Sequence, residues 1–391
     1  MSRSFQTVLL LPLALLVACS TRAPVPAPPA PAVRVAPLPP VAMLQSPIDT
    51  HRFEIDSNDD VLGTLQRVIA SREDTLPDIA RRFNVGYEEI VRVNPGVDPW
   101  LPGEGREIIV PTRFVLPNAP REGVVINIAA MRLFYFAPAV AGRKQVVYTH
   151  PIGIGKVGWS TPEGTTRITG RQKNPVWVPP ASVRKEHLAN GERLPAVVPA
   201  GPDNPLGRYK FTLGWPSYLI HGTNKPYGVG LRSSHGCLRL YPEDIEALYA
   251  SVPVGTVVRV VNQPFVLGWH DGRLQLQAFN VLEDDRRDWR AANTKLLQKV
   301  LTPRIEQQLK LQGKTVDWVA LMHQAQAAQG LPVPVGQAGA DIKSVWADAP
   351  RVINRIPAGA NWDGRDEIAA AAQQDVLQMV SERQKPVTRR P

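Results

Sequence analysis

The sequence predicts a mainly β domain in the middle of the chain, preceded by a small α+β unit and followed by a mostly helical region. Between residues 121 and 262, short β-rich segments alternate with glycine and proline. Residues 48–112 have the pattern strand, helix, helix, strand. From Asp288 to Gln329, apolar residues recur at helical spacing.

The first 18 residues predict a signal peptide. Arg3 precedes an apolar run from Val8 to Val17, which is too short to span a bilayer but suits a signal peptide. Residues 19–47 alternate proline, alanine and valine, a composition that predicts a semi-rigid extended tether. The remainder of the 391-residue chain is long enough for two or three domains.

The first folded unit is expected over residues 48–112. Strands are predicted at Thr64–Ile69 and Glu107–Val110. Between them, the segment Asp74–Phe83 has a capping residue ahead of apolar positions at helical spacing, and a second short helical pattern begins near Val85. The unit is therefore predicted to be a small α+β module.

The central domain is expected over residues 121–262. Its β-rich segments are Val124–Ile128, Arg132–Phe136, Gln145–Ile154 and Thr165–Thr169. The proline-rich stretches around 174–180 and 194–206 are too rigid for strand interiors, and such long loops are typical of lids or binding walls. Pro242, followed by two acidic residues, predicts the start of a helix that runs to about Ala250.

Beyond the central domain, residues 263–350 predict a hairpin and a helical extension. The hairpin is indicated by Asp271-Gly272, a dipeptide that favours tight turns between strands. Leu297, Val300 and Leu301 share one face of the predicted helical part. Residues 351–391 are expected to form a flexible tail.

Charge and cysteine content restrict the setting of the protein. With 45 Lys plus Arg against 35 Asp plus Glu, the net charge of +10 favours an anionic partner, although charge alone does not choose between a carboxylate-rich polymer, a phospholipid surface and nucleic acid. The basic residues are dispersed, which argues against nucleic acid. Only two cysteines are present, Cys19 and Cys237.

Cys237 is the candidate for chemistry, because two histidines lie close to it in the sequence. A thiol becomes a good nucleophile when an imidazole removes its proton. His235 lies two residues away, and in an extended conformation both side chains would point to one face. His221 lies 16 residues upstream at the end of an apolar strand-like run, a spacing that allows a loop and a return strand to bring imidazole and thiol together.

The segment around these residues resembles the signature of the L,D-transpeptidase catalytic domain, the YkuD family. The resemblance rests on His221-Gly222, on Ser234-His235-Gly236-Cys237 and on the upstream segments at 152–155 and 161–165. It implies a YkuD-type β-sandwich with a few short helices. It also implies Cys237 as nucleophile and His221 as general base, with the Gly222 carbonyl holding the imidazole.

The same resemblance implies a substrate-binding role for the residues around this pair. Ser234, His235 and Gly236 are expected to shape the site, with backbone N–H groups near Cys237 as an oxyanion hole. Arg239 is expected to bind a substrate carboxylate, or alternatively only to brace the loop. Thr223 and Asn224 are also expected to contact substrate. No cofactor and no metal are implied.

Two further resemblances concern the N-terminal part. Leu16-Val17-Ala18-Cys19 resembles the lipobox of bacterial lipoproteins, which implies acylation of Cys19 and, with Ser20 following, attachment to the periplasmic face of the outer membrane of a Gram-negative cell. Residues 48–112 resemble a degenerate LysM module, which implies glycan binding, although Glu73 replaces the usual glycine. A packing role without sugar affinity is the competing hypothesis.

The implied reaction is acyl transfer on peptidoglycan stem peptides through a thioester on Cys237. The acceptor would be a neighbouring diaminopimelate, giving a 3-3 cross-link, or a lysine of an envelope lipoprotein, or water, which would make the protein a carboxypeptidase. The residues also allow an inert buried thiol, a peptidoglycan-binding protein without turnover, or a zinc site. For zinc, the residues His221, His235 and Cys237 have no recognisable fourth ligand.

Overall fold

The computed structural model describes residues 50–287, 297–335 and 342–356 of the chain. The predicted signal peptide, Cys19, the tether and most of the predicted tail lie outside these ranges. Within them, no helix is both long enough and apolar enough to cross a membrane.

Short strands make up most of the described structure. They are β1 (Arg52–Ile55), β2 (Val61–Gly63), β3 (Gln66–Ile69), β4 (Glu107–Val110), β5 (Arg113–Val115), β6 (Gly123–Asn127), β7 (Arg132–Phe136), β8 (Gln145–Pro151), β9 (Ile154–Gly155), β10 (Gly164–Lys173), β11 (Tyr209–Leu213), β12 (Leu219–His221), β13 (Arg232–Ser234), β14 (Leu238–Arg239), β15 (Val257–Val261), β16 (Phe265–His270), β17 (Arg273–Ala278) and β18 (Pro332–Pro334). The helices are α1 (Leu76–Arg82), α2 (Tyr87–Val93), α3 (Ala181–Ala189), α4 (Pro242–Ser251), α5 (Pro303–Leu311), α6 (Trp318–Ala327) and α7 (Ile342–Ala347), with a 3-10 turn at Pro226–Gly228.

The central β domain is built on a nine-stranded sheet with the order β1-β8-β7-β6-β15-β10-β11-β12-β14. The long strand β10 belongs to both halves of this sheet, because its first residues pair with β15 and its last with β11. A register shift between Ile168 and Gly170 bends the strand at the change of partner. Apolar side chains from both halves and from α4 form one buried core between them. The predicted mainly β class is confirmed.

The predicted segment Gln145–Ile154 is not one continuous strand. β8 ends at Pro151, and Ile154 begins β9, which leaves the large sheet and pairs in parallel with β13. The intervening Ile152 N–H bonds instead to the carbonyl of Met131, and Gly153 bonds to Arg239. A proline and a glycine at this point allow the chain to change sheets.

Residues 66–110 form the strand–helix–helix–strand module that the sequence predicts. β3 and β4 pair antiparallel and enclose α1 and α2. Thr75 caps α1 through a capping box with Asp78, as its position ahead of the apolar residues indicated.

This βααβ module does not have a core of its own. Its buried apolar residues continue into those of Val125, Phe134, Phe136 and Val147, which lie on strands of the large sheet. β1, from within the range 48–112, is itself the edge strand next to β8. The module and the central β domain therefore share one apolar core.

The C-terminal region begins with the predicted hairpin. β16 and β17 pair antiparallel, and both turn residues have positive φ, 48° at Asp271 and 69° at Gly272. β18 pairs with β17, and α5 and α6 cover this small sheet with apolar side chains.

The expectation of a flexible tail from residue 351 is wrong at its start. Val352 is buried at 1% exposure, and its N–H bonds to the carbonyl of Arg67 on β3 at 2.8 Å. The side chain of Asn354 donates to the Asp74 carboxylate at 2.7 Å. Three apolar residues, Val352, Ile353 and Ile356, interspersed with arginine and asparagine, have no periodicity that would have indicated this contact. The remainder of the predicted tail lies outside the described residues.

Candidate active site

The register of two short strands brings the predicted nucleophile and base together. β12 and β14 run parallel, with Ile220 opposite Leu238 and His221 opposite Arg239. Cys237 immediately precedes β14, so it lies next to the start of β12. Because side chains two residues apart share a face of a strand, His221, Cys237 and Arg239 lie on the same face.

His221 is held by the carbonyl that the family resemblance implied. Its Nδ1 lies 2.6 Å from the Gly222 carbonyl oxygen, and the residue is 5% exposed. A carbonyl only accepts hydrogen bonds, so Nδ1 carries the proton and Nε2 keeps a free lone pair. Burial, followed by the charge of Arg239, lowers the pKa of His221 from 6.5 to about 3. The imidazole is therefore neutral at neutral pH.

The thiol of Cys237 is also neutral at rest. Its Sγ lies 3.6 Å from the carbonyl oxygen of Ser217, to which it donates. Burial raises the pKa of the thiol, and a hydrogen bond with the backbone of Leu219 and the charge of Arg239 offset part of this effect. Thiol and imidazole are thus both neutral in this conformation.

The loop just before Cys237 is fixed by its own hydrogen bonds. Ser234 Oγ donates to the carbonyl of Cys237 at 2.5 Å and accepts the Gly236 N–H at 3.2 Å. Gly236 has φ +100°, and a Cβ there would lie 2.9 Å from the ring of Tyr218. These contacts hold the backbone of the loop in one conformation. The Gly236 N–H is engaged in the loop, however, so it is not an oxyanion donor in this conformation.

His235 does not share the environment of His221. A bend at 235–236 breaks the extended conformation that would have put His235 beside Cys237. Its Nε2 instead lies 2.9 Å from Glu186 of α3, and its ring packs edge-on against Trp159 at 4.8 Å. Glu186 also forms an ion pair with Lys156.

Arg239 faces the site without a carboxylate partner among the described residues. Its Nη1 donates to Ser233 Oγ at 3.2 Å, and its buried Nε has no partner in the described structure. A guanidinium in this state suits an anionic group of a substrate. A Cβ added at Gly228 would lie 2.7 Å from Arg239 Nη1, so the loop packs closely against the guanidinium.

Thr223 and Asn224 are placed differently from each other. Thr223 is buried, and its hydroxyl accepts the Lys225 N–H at 2.9 Å, so the side chain stabilises the turn after His221 rather than facing outward. Asn224 is exposed at the surface of this turn. Of the two residues expected to contact substrate, only Asn224 has a side chain open to solvent.

The proline-rich stretches flank a helix that the sequence did not predict. α3 lies between them and buries only Val183. The segment 174–208, which contains both stretches and α3, is called here the α3 excursion. Trp177 and Val198 exchange two backbone hydrogen bonds near its base. Several apolar side chains of this excursion are exposed: Val176 at 44%, Val178 at 63%, Leu188 at 65% and Val197 at 50%. α3 contacts His235 through the pair Glu186–His235 and through the ring of His187, whose centroid lies 6.0 Å from that of His235.

Comparisons with known proteins match this arrangement. A family model described as the L,D-transpeptidase catalytic domain (YkuD) matches residues 121–260. The chain is 39% identical over 262 residues to a probable L,D-transpeptidase, ErfK/SrfK of Salmonella typhimurium, covering 66% of this chain and 82% of that relative. It is 43% identical over 201 residues to the probable L,D-transpeptidase YcfS of Escherichia coli, covering 50% of this chain and 62% of YcfS.

Among solved structures, an L,D-transpeptidase of Enterococcus faecium is 19% identical, with a TM-score of 0.26. The match covers 36% of this chain and 50% of that one.

Proposed function

Since this chain belongs to the L,D-transpeptidase family, we propose that Cys237 is its nucleophile and His221 its general base. The observation that carries the proposal is the parallel pairing of β12 with β14, which gives both side chains the same face. The Gly222 carbonyl, by fixing the proton on Nδ1 of His221, leaves Nε2 free to accept the proton of the thiol.

The neutral state of both groups defines how the nucleophile is activated. Proton transfer from Cys237 to His221 creates a thiolate and an imidazolium together, and each charge stabilises the other. Arg239 also stabilises the developing negative charge, because it lies on the same face and lowers the pKa of the thiol.

The proposed substrate is the tetrapeptide stem of peptidoglycan. Cys237 Sγ attacks the carbonyl that joins the L-centre of the diamino acid to the terminal D-alanine. The C–N bond breaks, His221 returns the proton to the leaving amine, and D-alanine departs. A thioester on Cys237 keeps the acyl group activated, so no ATP is required.

An amine or water then resolves the thioester. A diaminopimelate amine of a neighbouring stem gives a 3-3 cross-link, and a lysine of an envelope lipoprotein gives a wall-attached protein. Water gives the carboxypeptidase reaction. We propose transfer to an amine as the main outcome, in agreement with the family to which the chain belongs.

The location of the reaction follows from the N-terminal sequence. We propose that Cys19 is acylated and that residues 19–47 hold the catalytic part away from the outer membrane, within reach of the wall. The positive net charge of +10 suits an anionic wall and membrane. Glycan binding by the βααβ module is likewise a proposal, supported by its LysM-like strand and helix order.

Two measurements test the catalytic pair. The Cys237→Ala variant should release no D-alanine from purified tetrapeptide muropeptides. His221→Gln should slow release at least about a thousandfold, a loss typical of removing a general base from a catalytic group. His235→Gln is the matched control, because it removes a histidine that faces Glu186, and it should slow release less.

Mass spectrometry after incubation with a carbapenem supplies the second readout. The wild-type protein should gain one acyl adduct on Cys237, and His221→Gln should acylate far more slowly. An unchanged mass of the wild-type protein, or an adduct formed equally fast without His221, would contradict the proposed roles.

A further inference from the structure

The loop between His221 and Cys237, called here the catalytic loop, contains the strand β13. This three-residue strand pairs in parallel with β9, which has two residues. So short a pairing has little stability of its own, and side-chain contacts must help to fix β13. Cys237 lies three residues beyond Ser234, the last residue of β13. The position of the thiol therefore depends on what holds the strand.

Arg232, the first residue of β13, makes the charged contacts that hold the strand. The residue is 6% exposed, and its Nε donates to the carbonyl of Gly155 on β9 at 3.2 Å. Its Nη2 donates to both carboxylate oxygens of Asp284, each at 2.9 Å, and its Nη1 forms an ion pair with Glu283. A buried guanidinium needs such partners, because an unpaired charge away from water is costly.

Asp284 also holds the connection between β9 and β10, which packs against Gly236, the residue before Cys237. The Ser160 hydroxyl donates to Asp284 Oδ2 at 2.6 Å. The hydroxyl of the next residue, Thr161, donates to the carbonyl of Gly236 at 3.0 Å. The backbone of Ser160 is close as well, since a Cβ added at Gly236 would lie 3.6 Å from the Ser160 carbonyl oxygen. One carboxylate therefore braces the catalytic loop at two points, β13 and Gly236.

The two acidic partners of Arg232 belong to the C-terminal region. Glu283 and Asp284 follow the hairpin of β16 and β17, and they lie beyond residues 121–260, the part of the chain that the catalytic-domain model matches. The preceding residue, Leu282, is buried in the apolar core of the central β domain. This contact anchors the acidic pair where it faces Arg232. The C-terminal region thus supports the catalytic loop from outside the matched domain.

We propose that Asp284 is a positioning residue for Cys237, an inference that rests on the proposed role of Cys237 as the nucleophile. Through Arg232 and Ser160, Asp284 holds the catalytic loop in the conformation that places Cys237 and His221 on one face. It acts through the backbone of the loop rather than on the reacting atoms. The C-terminal region is then a part of the catalytic unit.

Loss of the Asp284 charge should affect the rate of the chemical step more than substrate affinity. Asp284→Asn keeps the size of the side chain, but one carboxylate oxygen becomes an NH₂ group, which cannot accept a hydrogen bond from Arg232. The buried guanidinium then loses part of its compensation, and β13 shifts. A displaced nucleophile slows attack, so kcat falls while KM changes little.

Carbapenem acylation of Cys237 and D-alanine release test the proposal in the full-length protein. Asp284→Asn should lower the acylation rate, and kcat for D-alanine release, at least about tenfold, with little change in KM. Arg232→Gln should have the same effect. The double variant should be about as slow as Arg232→Gln alone, because the effects of two residues that act through each other do not add.

Asp285→Asn is the matched control. Asp285 is the neighbour of Asp284, but it accepts hydrogen bonds from Arg287 at 2.7 Å and from Asn262 at 3.1 Å, and both of these residues lie outside the catalytic loop. This substitution should lower the free energy of unfolding and leave kcat unchanged. A purely structural role of Asp284 would give the same result for both variants.

Ser160→Ala keeps the test decisive if Asp284→Asn does not fold. It removes one hydroxyl at an exposed position and leaves Arg232 paired, and it should still slow acylation by about threefold, as expected for one lost hydrogen bond. Wild-type acylation rates in the folded variants of Asp284 or Ser160, or effects that multiply in the double variant, would overturn the inference. A wild-type protein that takes up no carbapenem would instead contradict the catalytic pair on which the inference rests.

Discussion

The backbone N–H of Tyr87 donates a hydrogen bond of 3.1 Å to the carbonyl of Val229. Tyr87 is the first residue of α2 in the βααβ module, and Val229 lies in the loop between His221 and Cys237. The next pair along, Glu88 N–H and the Gly230 carbonyl, is 3.3 Å apart. The first N–H groups of a helix have no partner inside the helix, and here the catalytic loop provides the acceptors. The module thereby fixes the backbone of that loop.

The substitution Gly230→Ala should push α2 of the βααβ module away from the loop between His221 and Cys237. Gly230 has φ +81°, and a Cβ there would lie 2.4 Å from the Tyr87 nitrogen and 2.5 Å from the Gly86 Cα, all backbone atoms that cannot rotate away. We expect the free energy of unfolding to fall by about 2–4 kcal/mol, as for steric strain in a core. D-alanine release should fall at least about tenfold. Urea unfolding and steady-state rates measure the two effects.

Gly105→Ala is the matched control for this substitution. Gly105 has nearly the same φ, +79°, but nothing lies within 4 Å of the position of its Cβ. Only the backbone strain remains, about 1 kcal/mol. If both variants lost stability and activity equally, the contact between the module and the loop would have no part in catalysis.

The sequence alone predicted the parts of this molecule that depend on local patterns. The turn at Asp271-Gly272, the cap at Thr75 and the helix from Pro242 all occur where short-range rules place them. The motif also predicted that His221 and Cys237 lie close together, because the spacing between them allows a loop and a return strand. In each case the deciding residues are close together in the chain.

The features that the sequence did not predict depend on residues far apart in the chain. The bond between Arg132 and Glu89, two donors at 2.9 and 2.8 Å, joins the β domain to the module across 43 residues. The contact of Glu186 with His235 crosses 49 residues. Charged residues at such separations are common on any surface, and no periodicity shows which of them meet. For the same reason, the sequence did not predict that the βααβ module and the central β domain share one apolar core.

The buried imidazole of His221 should make stability depend on pH. The native state keeps it neutral down to about pH 3, whereas the unfolded chain binds a proton near the ordinary value of 6.5. Between these values the unfolded state binds more protons, so stability falls as the pH is lowered, by about 1.4 kcal/mol per pH unit from this group. Urea unfolding at pH 7, 6, 5 and 4 should show a shallower decline for His221→Gln than for the wild-type protein.

The comparison of slopes, rather than of absolute stabilities, isolates this group. His221→Gln also loses packing, but that loss is the same at each pH. His323→Gln, at an exposed position of α6, controls for the loss of a histidine as such. Parallel declines for the wild-type protein and His221→Gln would mean that the native imidazole takes up a proton as readily as the unfolded one.

Arg239 should control the reactivity of the thiol. Because its charge lowers the pKa of Cys237 against the effect of burial, Arg239→Gln should raise that pKa further. In a Cys19→Ser background, where Cys237 is the one thiol, alkylation by iodoacetamide at pH 8 should slow by about three- to tenfold, since the thiolate is the reacting form. Arg143→Gln is the control for a lost surface charge, and faster alkylation of the Arg239 variant would contradict the assignment.

Glu186 should hold the α3 excursion against the catalytic loop. Burial raises its pKa, but Lys156 and His235 outweigh burial and keep the pKa below its ordinary value, so the carboxylate is charged and bonded to both. α3 buries little else, and Glu186→Gln weakens its main polar contact with the site. We expect limited proteolysis within residues 174–208 to become several-fold faster and KM for the stem peptide to rise more than kcat changes. These effects follow because local opening depends on the few contacts that resist it.

Glu192→Gln gives the matched comparison, because Glu192 also contacts a histidine of this excursion, His187 at 2.7 Å, but lies at the exposed end of the helix. Its loss removes a hydrogen bond within the excursion, whereas Glu186 bonds directly to His235 in the catalytic loop. Glu186→Gln should therefore show faster proteolysis and a higher KM than Glu192→Gln. If they behave alike, the excursion is held by its backbone bonds at Trp177 and Val198, and Glu186 only orients His235.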